Sequence, residues 1–342
     1  MKLLIVTQKI DINDPILGFF HQWVVEFSKS YESIQVICLY KGKYKLPNNV
    51  KVLSLGKERG VLKIKYILNF YKYILLENKN YDKVFVHMNQ EYVLLGSLIW
   101  FILNKDIFMW RNHHDGTILT DIAALFCKKV FCTSVFSYTA KYKKTQIMPV
   151  GVDLVNFKES INSNRLKQSI LFLGRISPVK RPHMLISVVT KIKKEFINMT
   201  CSIYGDPLLK DYEYYNGLRE SVSKNNQNSF IRFHKGIPNI ETVAVYSSHD
   251  IFVNLSSSGM YDKTIFEAIA CGCLILASNR NLIGQIDDCH IFNEGDVDDL
   301  TQKIKILLSY TPEERLKAVN KLQNFVKKHS LIELSNKISN IV

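Results

Sequence analysis

Short apolar runs alternate with amphipathic stretches along nearly all of this 342-residue chain. Runs at 3–6, 35–39, 83–87, 106–110 and 129–133 have the length and content of buried strands. Between them, 20–28, 62–76, 92–103 and 118–126 repeat apolar positions at helical spacing. The alternation pauses over 149–164, where Pro149, Gly151 and the Asn/Ser-rich 162–164 read as a linker. It then resumes, with strands at 169–172, 201–204, 231–234 and 251–254 and helices at 181–196, 211–224 and 240–247. Helices at 298–308 and 312–329 follow. Strands and helices that take turns in this way predict parallel sheets covered by helices. One pause between two such series predicts two Rossmann-like α/β domains.

Residues 256–278 carry the strongest chemical signal. They read as a loop, a helix opening near Lys263, a stop at Gly272 and a buried strand. The free N–H groups and positive dipole end of a helix N-terminus suit a diphosphate. Glu267, one turn further in, can accept hydrogen bonds from a ribose. Asp262 reads as the helix cap, with a sugar hydroxyl as the alternative partner. A second anion-binding candidate is the stretch from Gly174 to Lys180, which follows a strand. Gly174 lets backbone approach a ligand closely. Arg175 offers a planar fork and Lys180 a point charge. Solvated basic residues on a loop would give the same pattern, and so would an ordinary surface glutamate. In the first half, His113, His114 and Asp115 follow the 106–110 strand, at the edge where open α/β sheets place ligands. A structural loop cluster is the alternative there. Gly18, His21 and Trp23 follow the first strand; His21 and Trp23 could line a ligand site, and a helix packing on its sheet explains Trp23 as well. Asp296, Asp298 and Asp299 sit just before a helix, where capping explains them better than metal binding.

Together these segments resemble the retaining GT-B glycosyltransferases of glycosyltransferase family 4 (glycosyl transferases group 1). The resemblance rests on four segments in order: Pro149–Asp153, Leu171–Arg175 with Lys180, the two strands within 231–258, and Glu267 followed by Ala268–Gly272. It implies an α/β GT-B architecture of two Rossmann-like domains facing a central cleft. Residues 1–152 would bind the acceptor, 153–168 would link, and 169–325 would bind the nucleotide sugar. Residues 326–342 would form a C-terminal helix packing back on the first domain. The implied reaction moves a sugar from a nucleotide diphosphate sugar to a hydroxyl of a glycan or lipid-linked acceptor. Retention of configuration is implied, with no cofactor and no metal. Arg175 and Lys180 would stabilise the departing diphosphate, and Lys263 would assist. Gly174 would border the donor, Glu267 would hold the ribose, and His113 would face the sugar in a Trp-x-x-His pattern begun by Trp110. Gly18 and His21 would lie on the acceptor side. The family's usual pair of glutamates is broken, because the first falls at donor-side Gly259. Two alternatives therefore stand: a non-catalytic partner or activator of another transferase, and a nucleotide-sugar 2-epimerase. For the epimerase, a convincing pair of additional carboxylates is not evident.

Charge adds a partner class. The formal net charge is +14, with 22 Lys/Arg against 13 Asp/Glu in residues 1–160 and 23 against 18 in the rest. A basic first half suits an anionic membrane surface or a phosphate-bearing lipid acceptor. An AT-rich coding sequence would also raise the lysine count. No zinc finger, RNP-type motif or basic-region helix supports nucleic acid. Residues 62–76 place Lys65, Asn69 and Lys72 on one helical face; a helix covering a sheet explains this, with membrane docking as the alternative. Seven cysteines without repeated spacing read as buried free thiols. The first residues read as a strand rather than a signal peptide, and the apolar run at 92–103 is short for a membrane span. The expected location is cytoplasmic, with peripheral attachment to the inner face of the membrane as an option. Family frequency points to bacterial surface polysaccharide biosynthesis.

Overall fold

The computed structural model describes residues 1–14, 16–159, 164–256 and 259–342. Pro15, residues 160–163 of the linker reading, and Ser257 and Ser258 of the 256–278 stretch lie outside the described residues. Contacts divide the chain into two units. One is Met1–Gly151 together with Leu331–Val342, and the other is Val152–Ser330.

The first unit holds strands β1 (Lys2–Ile10), β2 (Ser33–Lys41), β3 (Val50–Ser54), β4 (Lys83–His87), β5 (Asp106–Trp110), β6 (Lys129–Cys132) and β7 (Thr145–Ile147). Its connecting helices are α1 (Phe19–Phe27), α2 (Lys63–Leu76), α3 (Gln90–Ile102) and α4 (Ile118–Phe126). The strands form one sheet in the order β3-β2-β1-β4-β5-β6-β7, and every pairing is parallel. A parallel strand covered on both faces must be apolar on both, and β1 meets that demand. Leu3 and Ile5 face one core with Phe27, Phe85 and Phe108. Leu4 and Val6 face the other with Phe70, Trp100 and Met109. Helix α1 closes the first face, and α2, α3 and α4 all close the second. The edge strands β3 and β7 have no counterpart in the hydrophobic reading. Each pairs with a single neighbour, is short and is only partly buried, so neither needs a long apolar run.

The second unit holds β8 (Ser169–Leu173), β9 (Thr200–Tyr204), β10 (Ile231–His234), β11 (Ile251–Asn254) and β12 (Leu274–Ala277). Its helices are α5 (Pro182–Ile192), α6 (Tyr212–Lys224), α7 (Thr242–Ser248), α8 (Lys263–Ala270), α9 (Val297–Leu308) and α10 (Pro312–Lys327). The parallel sheet runs β10-β9-β8-β11-β12. Its order reverses between β8 and β11, the place where open α/β sheets leave a crevice.

The last helix, α11 (Leu331–Ile341), returns to the first unit. The sequence boundary at 326 falls inside α10; a turn at 328–329 separates the two helices, so the final helix starts at Leu331. Leu331, Leu334 and Ile338 join the core around Trp23. The Trp23 indole N–H donates to the Gly151 carbonyl at 3.1 Å. Gly151 takes a positive φ of 77°, and a Cβ there would lie 2.4 Å from Leu334 Cδ2. On α2, Asn69 lies on the same side as Lys65 and Lys72, half-buried, and its amide donates to the Leu55 carbonyl at 2.9 Å.

Leu334→Ala opens a cavity beside Trp23 and should cost about 2–5 kcal/mol. Urea unfolding followed by tryptophan fluorescence measures it.

Candidate functional site

The second unit gathers charge where its sheet order reverses. Beyond β8 the chain passes through Gly174 and Arg175 into a short turn, Pro178–Lys180, before α5. The Gly174 N–H donates to the Tyr204 carbonyl at 3.0 Å. Gly205 makes that close approach feasible: a Cβ on it would sit 1.9 Å from the Gly174 carbonyl oxygen. Arg175 is exposed at this edge. Strand β11 ends at Asn254 and is followed by Leu255 and Ser256.

Asp262 joins these segments. Its carboxylate pairs with the Lys180 ammonium at 2.6 Å. It accepts further hydrogen bonds from Asn254 Nδ2 at 3.0 Å, Ser256 Oγ at 3.0 Å and Thr264 Oγ1 at 3.0 Å. Lys180 also donates to Ser256 Oγ at 2.8 Å. Asp262 occupies the N-cap position of α8 but makes no side-chain cap hydrogen bond there. The sequence reading of Asp262 as a cap is therefore replaced: its charge is spent on Lys180 and the polar side chains around it. Burial alone would raise its pKa. The Lys180 charge and the hydrogen bonds from Lys180, Asn254 and Thr264 win and hold it well below the usual carboxylate range.

Lys263 and Glu267 lie one turn apart on α8. Burial brings the Lys263 ammonium down to about 8, against the opposing pull of Glu267 and Asp153. Glu267 is buried, and its Oε1 accepts from Asn239 Nδ2 at 3.2 Å. Burial raises its pKa in spite of Lys263 and that hydrogen bond. Gly259 has a φ of 125°, a region that favours glycine. Its carbonyl accepts from Asn281 Nδ2 at 3.3 Å, and Asn279 Nδ2 bonds the Met260 carbonyl. A glutamate at 259 would be strained in this backbone.

In the first unit, His113 is exposed on the loop after β5. Its Nδ1 lies 2.9 Å from the Asp115 backbone nitrogen and 3.2 Å from the Asp115 carbonyl oxygen. The rings of His113 and His114 stack at 4.6 Å, and His114 Nε2 lies 3.0 Å from Asp115 Oδ2. Gly18 precedes α1, and a Cβ there would meet the Asp14 carbonyl oxygen at 2.5 Å. Close backbone packing thus accounts for this glycine. His21 is buried, and its Nε2 accepts the Lys45 N–H at 3.0 Å. This corrects the acceptor-side reading, since the ring holds the 41–45 segment rather than facing a ligand. Burial lowers its pKa. The aspartate trio before α9 does cap: Asp296 accepts from the N–H groups of Asp298 and Asp299. All seven cysteines are free, six of them buried.

Sequence reasoning missed His87, a buried ring stacked on Phe20 at 3.9 Å, with Thr7 Oγ1 3.2 Å from its Nδ1. It also missed Asn239, Asn254, Asn279 and Asn281, which position the candidate donor residues. Their only sequence signal is location at or after strand ends.

Two parallel sheets in Rossmann-like order make this a GT-B-type fold. The crystal structure of Anabaena Alr3699/HepE in complex with UDP superposes with a TM-score of 0.80 at 16% identity, covering 100% of this chain and 99% of that one. WaaG, a glycosyltransferase involved in lipopolysaccharide biosynthesis, gives 0.68 at 13% identity, with 99% of each chain covered. Residues 156–325, within the second unit, match the family model described as Glycosyl transferases group 1. Among curated proteins, the alpha,alpha-trehalose-phosphate synthase [UDP-forming] of Zygosaccharomyces rouxii is 25% identical over 224 residues, 56% of this chain and 46% of that protein. The chain spans about half the length of the curated relatives it matches.

Asp262→Asn removes the counter-charge of Lys180 and should destabilise the protein at neutral pH by about 1–3 kcal/mol. A carboxyl whose pKa is depressed on folding stabilises above its ordinary value of 3.8 and loses that contribution as pH falls. Melting curves of wild type and variant should therefore converge as pH drops below about 4.

Proposed function

We propose that this protein transfers a sugar from a nucleoside diphosphate sugar to a hydroxyl of a glycan or lipid-linked acceptor, with retention of configuration. The observation that carries the reading is the cluster of Lys180, Asp262, Lys263 and Glu267 where the sheet order reverses, inside the stretch matched by the glycosyl transferases group 1 family. In the reaction, the bond from the anomeric carbon to the diphosphate oxygen breaks. The acceptor oxygen bonds to that carbon, and its proton passes to the departing diphosphate. Charge builds on the leaving group, and fixed cations serve it best. Arg175 is exposed and Lys263 stands at the start of α8; both are the direct phosphate contacts in this reading. Lys180 acts with Asp262 to hold the two loops together and adds its field. Glu267 accepts from the ribose, Gly174 and Gly259 border the donor, and His113 faces the sugar. The second unit is the donor domain and the first the acceptor domain. No metal or cofactor is assigned a role.

Relatives lend support on the donor class. Anabaena Alr3699/HepE is solved with UDP-glucose, and the Zygosaccharomyces rouxii relative is named as UDP-forming. A bacterial surface polysaccharide is the setting we favour, in line with WaaG. Gly259 favours a second reading, a donor-binding partner without transferase activity, because its backbone does not suit the glutamate expected there.

A thermal-shift panel of UDP, GDP, ADP and their sugars tests the donor site. One nucleotide family should raise the melting temperature, and Arg175→Ala with Glu267→Ala should abolish the shift. No shift with any of them at millimolar concentration would overturn the reading. A shift without donor hydrolysis or sugar transfer would select the non-catalytic one.

Lys263 adds a pH signature. As pH rises through about 8 it loses the charge that attracts the diphosphate. Nucleoside diphosphate affinity by calorimetry should weaken about tenfold between pH 7 and pH 9. In Lys263→Met that step should vanish.

A further inference from the structure

Helices normally turn their apolar side to the sheet and their polar side to water. In the first unit α2, α3 and α4 break that rule together. All three cover the same face of the sheet. On α2, Phe70 and Ile74 point into the core, yet Ile64, Leu68 and Leu75 are exposed. These residues are four and seven apart, so they form a second apolar stripe on the solvent side. Helix α3 repeats the arrangement with Leu98, Phe101 and Ile102, and α4 with Ile118, Ile122 and Leu125. Leu68 is 60% exposed, Phe101 79% and Leu125 75%. Single exposed apolar residues need no explanation, but stripes along three helices of one layer do.

Charge indicates what covers this face. Residues 62–76 contain Lys63, Lys65 and Lys72, all exposed, and no Asp or Glu. Lys65 and Lys72 are seven apart and flank the outer stripe of α2. The acids on the other two helices are Glu91, at the start of α3, and Asp121. The Asp121 carboxylate is already engaged by Tyr138, Tyr142 and Lys141. An apolar layer fringed by lysines matches the boundary between acyl chains and anionic headgroups. A cavity of about 410 Å³ strengthens the match. It is lined by Tyr66, Ile67, Phe70 and Tyr92, with Lys57, Lys63 and Glu91 also in its walls. Ile67 belongs to both the cavity wall and the exposed surface, so the two are continuous. Among the described residues no helix is long and apolar enough to cross a membrane, so contact would be from one side.

We propose that the outer face of α2, α3 and α4 docks on a bilayer containing anionic lipids, with α2 lying in the headgroup boundary and the adjoining cavity open to a lipid chain. The face belongs entirely to the first unit, so this inference does not depend on the donor-site reading. The whole protein would be sedimented with vesicles of phosphatidylcholine alone and of phosphatidylcholine with phosphatidylglycerol. It should pellet with the mixed vesicles, less so as salt rises, and weakly with the neutral ones. Lys65→Ala with Lys72→Ala should lower partitioning about fivefold for each lysine removed. Ile64→Gln, Leu68→Gln and Leu75→Gln together should abolish it. The exposed positions leave folding intact, checked by circular dichroism and by an unchanged thermal shift with nucleotide. Failure to pellet with the mixed vesicles, or full binding by the triple glutamine variant, would overturn the proposal. So would a concentration-dependent dimer in analytical ultracentrifugation that the triple variant dissolves, because the face would then belong to a second copy of the chain.

Discussion

The second unit depends on one carboxylate. Asp262 receives the Lys180 ammonium from beyond β8, an amide donor from the end of β11, a hydroxyl from just after it, and a hydroxyl from the first turn of α8. Two adjacent strands and a helix thus end on a single negative charge. The pair is only partly buried, and a lone ion pair of that kind is worth little. What fixes it is the number of donors that converge, each satisfying a group that would otherwise be half-desolvated. The Lys180 charge is thereby met within the protein. Lys263 is held near its titration point by burial.

Architecture was readable from the chain because parallel strands must be apolar on both faces. The runs at β1, β4, β5, β8 and β11 reported themselves for that reason, whereas β3 and β7 sit at edges and left no such mark. Spacing found Arg175, Lys180, Lys263 and Glu267. It could not say that Lys180 meets Asp262, since 82 residues separate them and only the reversal of strand order brings them together. His21 illustrates the reverse error. A histidine after the first strand suggested a ligand contact, but the helix turns it inward to hold a backbone N–H. On α2 the lysines were seen and the second apolar stripe was not. A helix with apolar residues on two sides looks, in one dimension, like an ordinary covering helix.

The glycines divide in the same way. Gly205 and Gly18 are required by neighbouring backbone, and Gly259 by its own φ. The last of these explains why the glutamate pattern is broken at 259 in physical terms. The loop that carries it is pinned by Asn279 and Asn281 in a shape that disfavours side chains.

Helix α11 has a consequence for how the protein is made. Its leucines complete the core around Trp23, yet they are encoded after the whole of the second unit. During synthesis the second unit can close on itself as soon as α10 leaves the ribosome. The first unit, although translated first, must wait with an uncovered apolar groove beside α1 until the final turns emerge. Domains of most chains mature from the N-terminus onward; here the first unit is completed only after the second has been made.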